Sequence, residues 1–488
     1  MSKPTYAYDL TQLGLEPGTY AITAKAKKTG EEDSPESNAV SYTAENPTPY
    51  IVYSSVDPFN LANAASVSGQ SSNHKTWDGS LEYSTDASSW SAWNGSRVYA
   101  ASDGTKYHIY IRGTSNTYML WQTHHDPSID GMGWYTTASS SSTRVSVSGN
   151  IESLLDYQTV LNGQHPTMGS YAFDCLFAND ARLNDVTGLK LLANELTPYC
   201  YACMFAWTSI TQTPELPALK LASNCYLRIF YNCTYLTTAM NELPAEKMES
   251  HCYDGMFRTC INLLNAPYIK STNLAEYCYY EMFYYCRALT TFQDILPATA
   301  LKNYCYAYMF YSCRALTNAP ELPAITMATS CYQYMFYECW ELASPPDLPA
   351  TTLAAHCYEY MFYHCSLIST VPALPATTLA NYCYANMFRE CYNLDEIPEL
   401  PATTLVTECY KNMFYSAYIP ERAGIMLSET QTGDYQTPYR IPSSGTGTTG
   451  SNSLSNMFYG TKGTFTGTPS INTTYYTANT VIPATQNV

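Results

Sequence analysis

One unit of about 26 residues recurs nine times between Cys200 and Tyr415. It reads close to L-P-A-x-T-L-A-x-x-C-Y-x-x-M-F-x-x-C-x-x-L-x-x-x-P-x, as in Leu374-Pro375-Ala376, Cys383-Tyr384, Met387-Phe388, Cys391 and Leu394. The leading cysteines are Cys200, Cys225, Cys252, Cys278, Cys305, Cys331, Cys357, Cys383 and Cys409, separated by 25, 27, 26, 27 and then four times 26 residues. A fixed period of this size dictates stacked coils, each packing only on its neighbours. Such a chain builds a long surface rather than a pocket, which points to binding before catalysis.

Within a coil the apolar spacing predicts a helix. Leu379, Cys383, Met387 and Cys391 step by four, with Leu394 three further on, which would put them on one inward face. Pro375 and Thr377-Thr378 suit a turn and a helix start, with Thr as N-cap. Residues 394–400 read as a short extended segment, interrupted by Pro398 and ended by Pro401. Strands stack at about 4.8 Å and helices at about 8–10 Å. That mismatch predicts a curved α/β solenoid with the strand side concave.

All 18 cysteines lie between Cys175 and Cys409, and seven coils carry pairs eight residues apart, such as Cys305 and Cys313. In a helix that separation is about 12 Å, whereas a disulfide needs Cα atoms within about 7 Å. The pairs therefore read as reduced, buried small hydrophobes in two ladders. Cys175 and Cys203 differ: they align one coil apart, just before a Leu-Phe or Met-Phe pair, and a bridge between them is left open.

Ahead of the repeats, residues 1–45 read as strands. Pro17-Gly18-Thr19 is a turn, Tyr20, Ile22, Ala24 and Ala26 alternate, 27–37 is a polar hairpin loop and 39–43 the last strand. About 45 residues bury little alone, so this module must dock on something, which predicts a homo-oligomer or contact with another chain. Residues 46–150 form a second β-rich module of sandwich or jelly-roll type, with strands at 81–83, 98–99, 107–112 and 144–148 between turn clusters. It holds Trp77, Trp90, Trp93, Trp121 and Trp134, which serve either as core or as a carbohydrate-binding face. Residues 151–161 read as a helix, with Ile151, Leu154 and Leu155 inward, that caps the start of a solenoid covering 151–417. Residues 418–488 form a C-terminal cap: Asn456-Met457-Phe458-Tyr459 is a degenerate coil, and 464–481 a closing strand pair. The fold class is mixed, with β-sandwich-like N-terminal modules followed by the solenoid.

Two segments resemble known families. Met256-Phe257…Cys260…Leu263, Met309-Phe310…Cys313…Leu316 and Met335-Phe336…Cys339…Leu342 resemble the BspA-like leucine-rich repeat, over roughly residues 170–460. Here the isoleucine-rich strand of that family is replaced by Pro320-Glu321-Leu322-Pro323 and Pro398-Glu399-Leu400-Pro401, which works against a continuous parallel ladder. Gly18-Thr19-Tyr20, Ala24-Lys25-Ala26, Asp33-Ser34, Ser37-Asn38-Ala39-Val40 and Tyr42 resemble the C-terminal part of a fibronectin type III module. The resemblance implies a surface adhesin of gut or oral microbes. With β-modules in front, it is also similar to tail fibres of phages that infect them.

Charged residues make up only 13% of the chain, so the surface must be made of Ser, Thr, Asn, Tyr and backbone; tyrosine is the outlier, at 47 residues. The variable positions Tyr231, Tyr280, Tyr284, Tyr308, Tyr311, Tyr334, Tyr337, Trp340, Tyr360, Tyr363 and Tyr392 form the candidate binding surface, with Tyr235, Tyr285, His364 and Tyr415 beside them. Rows of exposed tyrosine resemble a paratope, and their faces would also stack on sugar rings. The alternative is a ladder that only joins coil to coil. The tyrosines after the leading cysteine (Tyr306, Tyr332, Tyr358, Tyr384) read as structural.

No nucleophile elbow, phosphate loop or zinc-hydrolase motif is present, and Glu215, Glu242, Glu321 and Glu399 recur about once per coil as a surface stripe. His124-His125-Asp126 reads as a solvated loop rather than a metal site. The expectation is a non-catalytic protein with no cofactor and no metal. A net charge of −17 disfavours nucleic acid, and no 18-residue apolar run suggests membrane insertion. The N-terminus lacks the apolar core of a secretory signal. The expected partners are a host cell-surface protein or glycan, and other virion or tail proteins through the N-terminal module. The expected location is a phage virion or otherwise the cell surface.

Overall fold

The computed structural model describes residues 18–22, 40–44, 48–63, 77–120, 133–417, 425–426, 435–461 and 465–478. His124-His125-Asp126, Trp121, the 27–37 loop and most of the fibronectin-like stretch lie outside them. Within that stretch, Gly18–Ile22 pairs antiparallel with Val40–Ala44, with Tyr20 opposite Tyr42, which accounts for the two strands expected there.

Alternation of apolar and polar residues builds the next sheets. Ile51, Tyr53, Ile109 and Ile111 are fully buried on one face of Ile51–Ser55 and Tyr107–Thr114, while their neighbours in sequence are not. The larger sheet runs Leu183–Asp185, Val145–Asn150, Ile51–Ser55, Tyr107–Thr114, Ser80–Ser84, Ser91–Trp93, with Leu189–Lys190 and Ala101–Ser102 attached. A smaller sheet runs Trp134–Thr137, Asn60–Asn63, Val98–Tyr99. Both are open. Trp93 and Trp134 meet edge to face at 4.9 Å and Trp77 stacks on Trp93 at 5.5 Å, so these three tryptophans pack together between the sheets. Leu183–Asp185 and Leu189–Lys190 join Val145–Asn150 in parallel, which carries the sheet into the first coil of the repeats.

The helix spans Ser153–Leu161, with Leu154, Leu155 and Val160 buried. It is the one α-helix among the described residues. Tyr157 lies over the Arg112 guanidinium at 3.9 Å, and Trp90 covers it at the same distance.

The repeats are not helical, which corrects the α/β reading. Every fourth residue takes a left-handed conformation: Tyr304, Tyr308 and Ser312 in one coil, Tyr382, Asn386 and Glu390 in another, all with φ between 56° and 60°. Such residues end a helix after a single turn. The amides then alternate. Those of Cys383, Ala385 and Met387 donate three residues back, to Ala380, Tyr382 and Tyr384. Those of Tyr384, Asn386 and Phe388 donate to Cys409, Lys411 and Met413 of the next coil, at 2.9–3.0 Å. The same alternation runs from Tyr171 to Ser416. The turn segment of each coil is thus a ribbon bonded to the next ribbon at every second amide.

The expected curvature rested on helices needing more room than strands. With no helix in the coils that cause is gone. The proline-rich side makes single parallel bridges, such as Ala300 with Thr326 and Thr352 with Thr378, and one two-residue pair, Glu242–Leu243 with Tyr268–Ile269. Proline removes ladder donors there.

Inside the stack lie two aromatic ladders. The tyrosines after the leading cysteines stack from Tyr201 through Tyr410 with ring centroids 5.5–6.0 Å apart. The phenylalanines of the Met-Phe and equivalent pairs stack likewise from Phe177 to Phe458, at 5.4–5.7 Å. All eighteen cysteines are buried thiols. Those of the second row have a specific partner: the Phe310 carbonyl accepts the Cys313 amide at 3.0 Å and the Cys339 thiol at 3.1 Å. The thiols of Cys233, Cys260, Cys286, Cys313, Cys365 and Cys391 repeat this on the preceding phenylalanine.

At the C-terminal end, 450–461 forms a last coil that accepts hydrogen bonds from Glu408, Tyr410, Asn412, Phe414 and Ser416. The closing strands correct the sequence expectation. Thr474–Ala478 pairs with Tyr435–Arg440 and Ile425–Met426, segments that precede the last coil, rather than with a neighbour inside 464–481.

Two predictions follow from this packing. The hydroxyl of Tyr306 is buried without a hydrogen-bond partner, so Tyr306→Phe should leave stability unchanged or raise it. Tyr306→Ala should cost about 3–5 kcal/mol, and denaturant midpoints of the two variants distinguish ring packing from hydrogen bonding. The second concerns Asp180, where the first coil meets Trp134–Thr137. It accepts hydrogen bonds from the Thr136 amide and hydroxyl and the Arg182 amide, yet burial pushes its carboxyl from 3.8 up to about 6. The folded state then holds a proton that the unfolded chain releases, so this residue favours folding increasingly as pH falls through that window. Relative to Asp180→Asn, the native chain should gain stability between pH 6 and 4; parallel profiles would remove Asp180 from the account.

Candidate functional site

The coil geometry decides where each variable tyrosine goes. One position, six residues after the leading cysteine, points outward at the end of a turn. Stacking coil on coil aligns Tyr284, Tyr311, Tyr337 and Tyr363 in a single column, with ring centroids 4.6, 4.3 and 4.4 Å apart and planes within 14°. A second position, three residues after the same cysteine, aligns Tyr308, Tyr334 and Tyr360 at 4.6 Å spacing. Tyr280 meets Tyr308 edge-on at 5.5 Å. The columns touch through Tyr308–Tyr311, Tyr334–Tyr337 and Tyr360–Tyr363 at 5.7–5.9 Å. Eight of the expected residues therefore form one half-buried plane.

The remaining three lie at its end or to one side. Tyr231 continues the first column beyond Arg258, whose guanidinium lies 4.6 Å over Tyr284 and 6.0 Å from Tyr231. Trp340 is packed under Arg314 at 3.7 Å. Trp340 and Tyr392 both approach His364, at 6.1 and 5.5 Å. They form a separate flank, more exposed than the columns.

Arginines at the column ends are neighbours of the rings that the sequence reading missed. Arg389 sits 5.7 Å from Tyr363 and 4.4 Å from Tyr415, and Tyr415 stacks on Tyr459. Arg258 and Arg389 occupy the same coil position as the tyrosines, and their planar guanidinium groups extend the stack. Acidic partners hold them: Arg258 with Glu281, and Arg389 with Glu390, which also accepts the Tyr363 hydroxyl at 2.7 Å. A register alignment of the coils would have found both. A third row was also missed: His251, Tyr277 and Tyr304 stack at 4.5 and 4.6 Å, and His356 stacks on Tyr382. All five immediately precede a leading cysteine.

Stacking uses up the ring faces. A sugar ring has no face to lie on along the column; it would meet ring edges and hydroxyls. Partial burial, with nearby carboxylates adding to it, raises the pKa of the Tyr311, Tyr334, Tyr337 and Tyr363 phenols. Tyr308 is pushed up to about 12 for the same reason. The surface therefore presents neutral hydroxyls rather than phenolates. Glu215, Glu242, Glu321 and Glu399 are exposed on the proline-rich side of their coils.

Residues 281–420 match the BspA type leucine rich repeat region in six copies. The same hydrogen-bond alternation continues on both sides of that span, in 171–280 and through 461. No curated protein and no solved structure matches the chain. Repeats of this type are a surface and adhesion class, usually surface-associated or extracellular. No helix among the described residues is long and apolar enough to cross a membrane.

Tyr337 touches a ring on each side, each contact worth about 0.5–1.5 kcal/mol. Tyr337→Ala should therefore lower stability by about 1–3 kcal/mol, while Tyr337→Phe should stay near the native value. Equal losses in the two variants, read from denaturant midpoints, would mean that stacking is not what holds this residue.

Proposed function

We propose that the chain is a non-catalytic receptor-binding protein that docks on a host cell surface through the two-column tyrosine plane. One observation carries this reading. Tyr284, Tyr311, Tyr337 and Tyr363, with Tyr308, Tyr334 and Tyr360, form a rigid array of ring edges and hydroxyls fixed by mutual stacking. Rigid aromatic groups bind at low cost in side-chain entropy, and a plane built on bonded coils is preorganised. The similarity to a surface and adhesion class of repeat supports the same reading.

The finer assignment is a phage tail-fibre or other host-recognition subunit, mounted on further tail proteins by its N-terminal module. Eighteen buried thiols suit a protein assembled in a reducing cytosol. A bacterial surface adhesin would use the same plane. A glycan-binding role for the Trp-rich region has less to draw on, since Trp77, Trp93 and Trp134 are spent on one another.

The test is adhesion of the purified full chain to candidate host cells. Tyr311→Ala/Tyr337→Ala/Tyr363→Ala should weaken adhesion by about tenfold or more, as loss of interface aromatic residues does. Native adhesion by a folded triple variant would rule the plane out as the contact surface. Antibodies against the chain that decorate phage tails rather than cell envelopes would separate the two finer assignments.

A further inference from the structure

Sixteen of the eighteen cysteines belong to the two ladders; Cys175 and Cys203 do not. They occupy a third coil position, three residues after the place of the leading cysteine, where later coils carry arginine, glycine, glutamate, tyrosine or asparagine. Both have left-handed backbones, with φ of 54° and 51°, and the Cys175 amide donates to Ala202 of the next coil at 2.9 Å. Their side chains therefore leave adjacent ribbons on the same side. They form a small buried cluster with Ala178 and Ala206, separate from the main core, with Tyr231 packed against it.

Asp174, also fully buried, completes the group. One carboxylate oxygen and the two sulfurs all lie within 4.8 Å of one another, and the Cys175 sulfur is 3.4 Å from the Asp174 oxygen. Metal–sulfur bonds of about 2.3 Å and metal–oxygen bonds of about 2.0–2.2 Å at tetrahedral angles give edges of about 3.5 Å between S and O and about 3.8 Å between the sulfurs. The 3.4 Å separation matches such an edge.

We propose that Asp174, Cys175 and Cys203 form a three-donor site for a borderline-soft divalent cation of the zinc type. Two sulfurs and one oxygen suit that class over calcium or magnesium, which take oxygen alone. A water or chloride supplies the fourth ligand. Binding replaces two thiol protons, which pass to solvent, and forms two metal–sulfur bonds and one metal–oxygen bond; nothing is oxidised. The ion would clamp the first coil, which meets the β-sheets at Trp134 and Asp180, to the second. This site is independent of the proposed adhesive role.

The test uses the full chain, reduced and anaerobic, with Co2+ as the spectroscopic probe and Zn2+ as competitor. One Co2+ per chain should bind with thiolate-to-metal charge-transfer absorption, and Zn2+ should abolish that band. With two protons displaced, affinity should fall about a hundredfold per unit decrease in pH. Cys175→Ser/Cys203→Ser should lose the band while keeping the native circular dichroism, and Asp174→Asn should bind more weakly. If the double variant does not fold, the proton release and Co2+ stoichiometry of the native chain decide. No charge-transfer band in the native chain, an unchanged band in the folded double variant, or release of no protons would each overturn the site.

Discussion

The whole repeat region depends on one division of labour among backbone amides. Along the turn segment of each coil, every second N–H closes a turn in its own coil, and every other N–H reaches the coil that follows. A left-handed residue at every fourth position makes the division possible, because it turns the chain before an α-helix can propagate. Each such residue carries a conformational cost of about 1–2 kcal/mol. Backbone hydrogen bonds between coils and the packing of aligned side chains offset it. A coil in isolation would have neither, so the conformation exists only in the stack.

Close, bonded coils put identical positions directly above one another. An aromatic residue at a fixed position then has no arrangement but a column. Where the position faces inward, as at Tyr306 and Phe310, the column is part of the core. Where it faces outward, as at Tyr311 and Tyr337, the same geometry makes a half-buried plane. Arg258 and Arg389 fit because a guanidinium is also flat. In the variable tyrosines the rings join coil to coil, while edges and hydroxyls stay outside, where the contact we propose would be made. The second cysteine row follows from the same spacing. A small apolar side chain with a weak donor fits beside a phenylalanine carbonyl that has one lone pair to spare.

The sequence carried a clue that the helical reading passed over. Leu379, Cys383, Met387 and Cys391 step by four without a compensating three until Leu394. On an α-helix a strict step of four drifts by about 40° each time, so the stripe would leave its face. Adjacent pairs such as Cys383-Tyr384 and Met387-Phe388 are also buried together, which widens the stripe that a helix would have to bury. The β-strands of the N-terminal part were more legible, because alternation at Tyr107–Thr114 and Ile51–Ser55 is a local property. The closing sheet was not, since Thr474–Ala478 pairs with Tyr435–Arg440 and Ile425–Met426, on the far side of the last coil in sequence.

By itself the sequence determined that the chain is a stack of repeats and which residues are interior, because periodicity and residue type report burial directly; the thiols are free, although the helical spacing from which that was expected is absent. Only the tertiary structure decided that each coil is a ribbon of turns rather than a helix, that ring faces are consumed by neighbouring rings, and that Asp174, Cys175 and Cys203 converge. Those outcomes depend on what the next coil offers to an amide, a ring or a thiol. A single chain segment holds no information about that until its neighbour is in place.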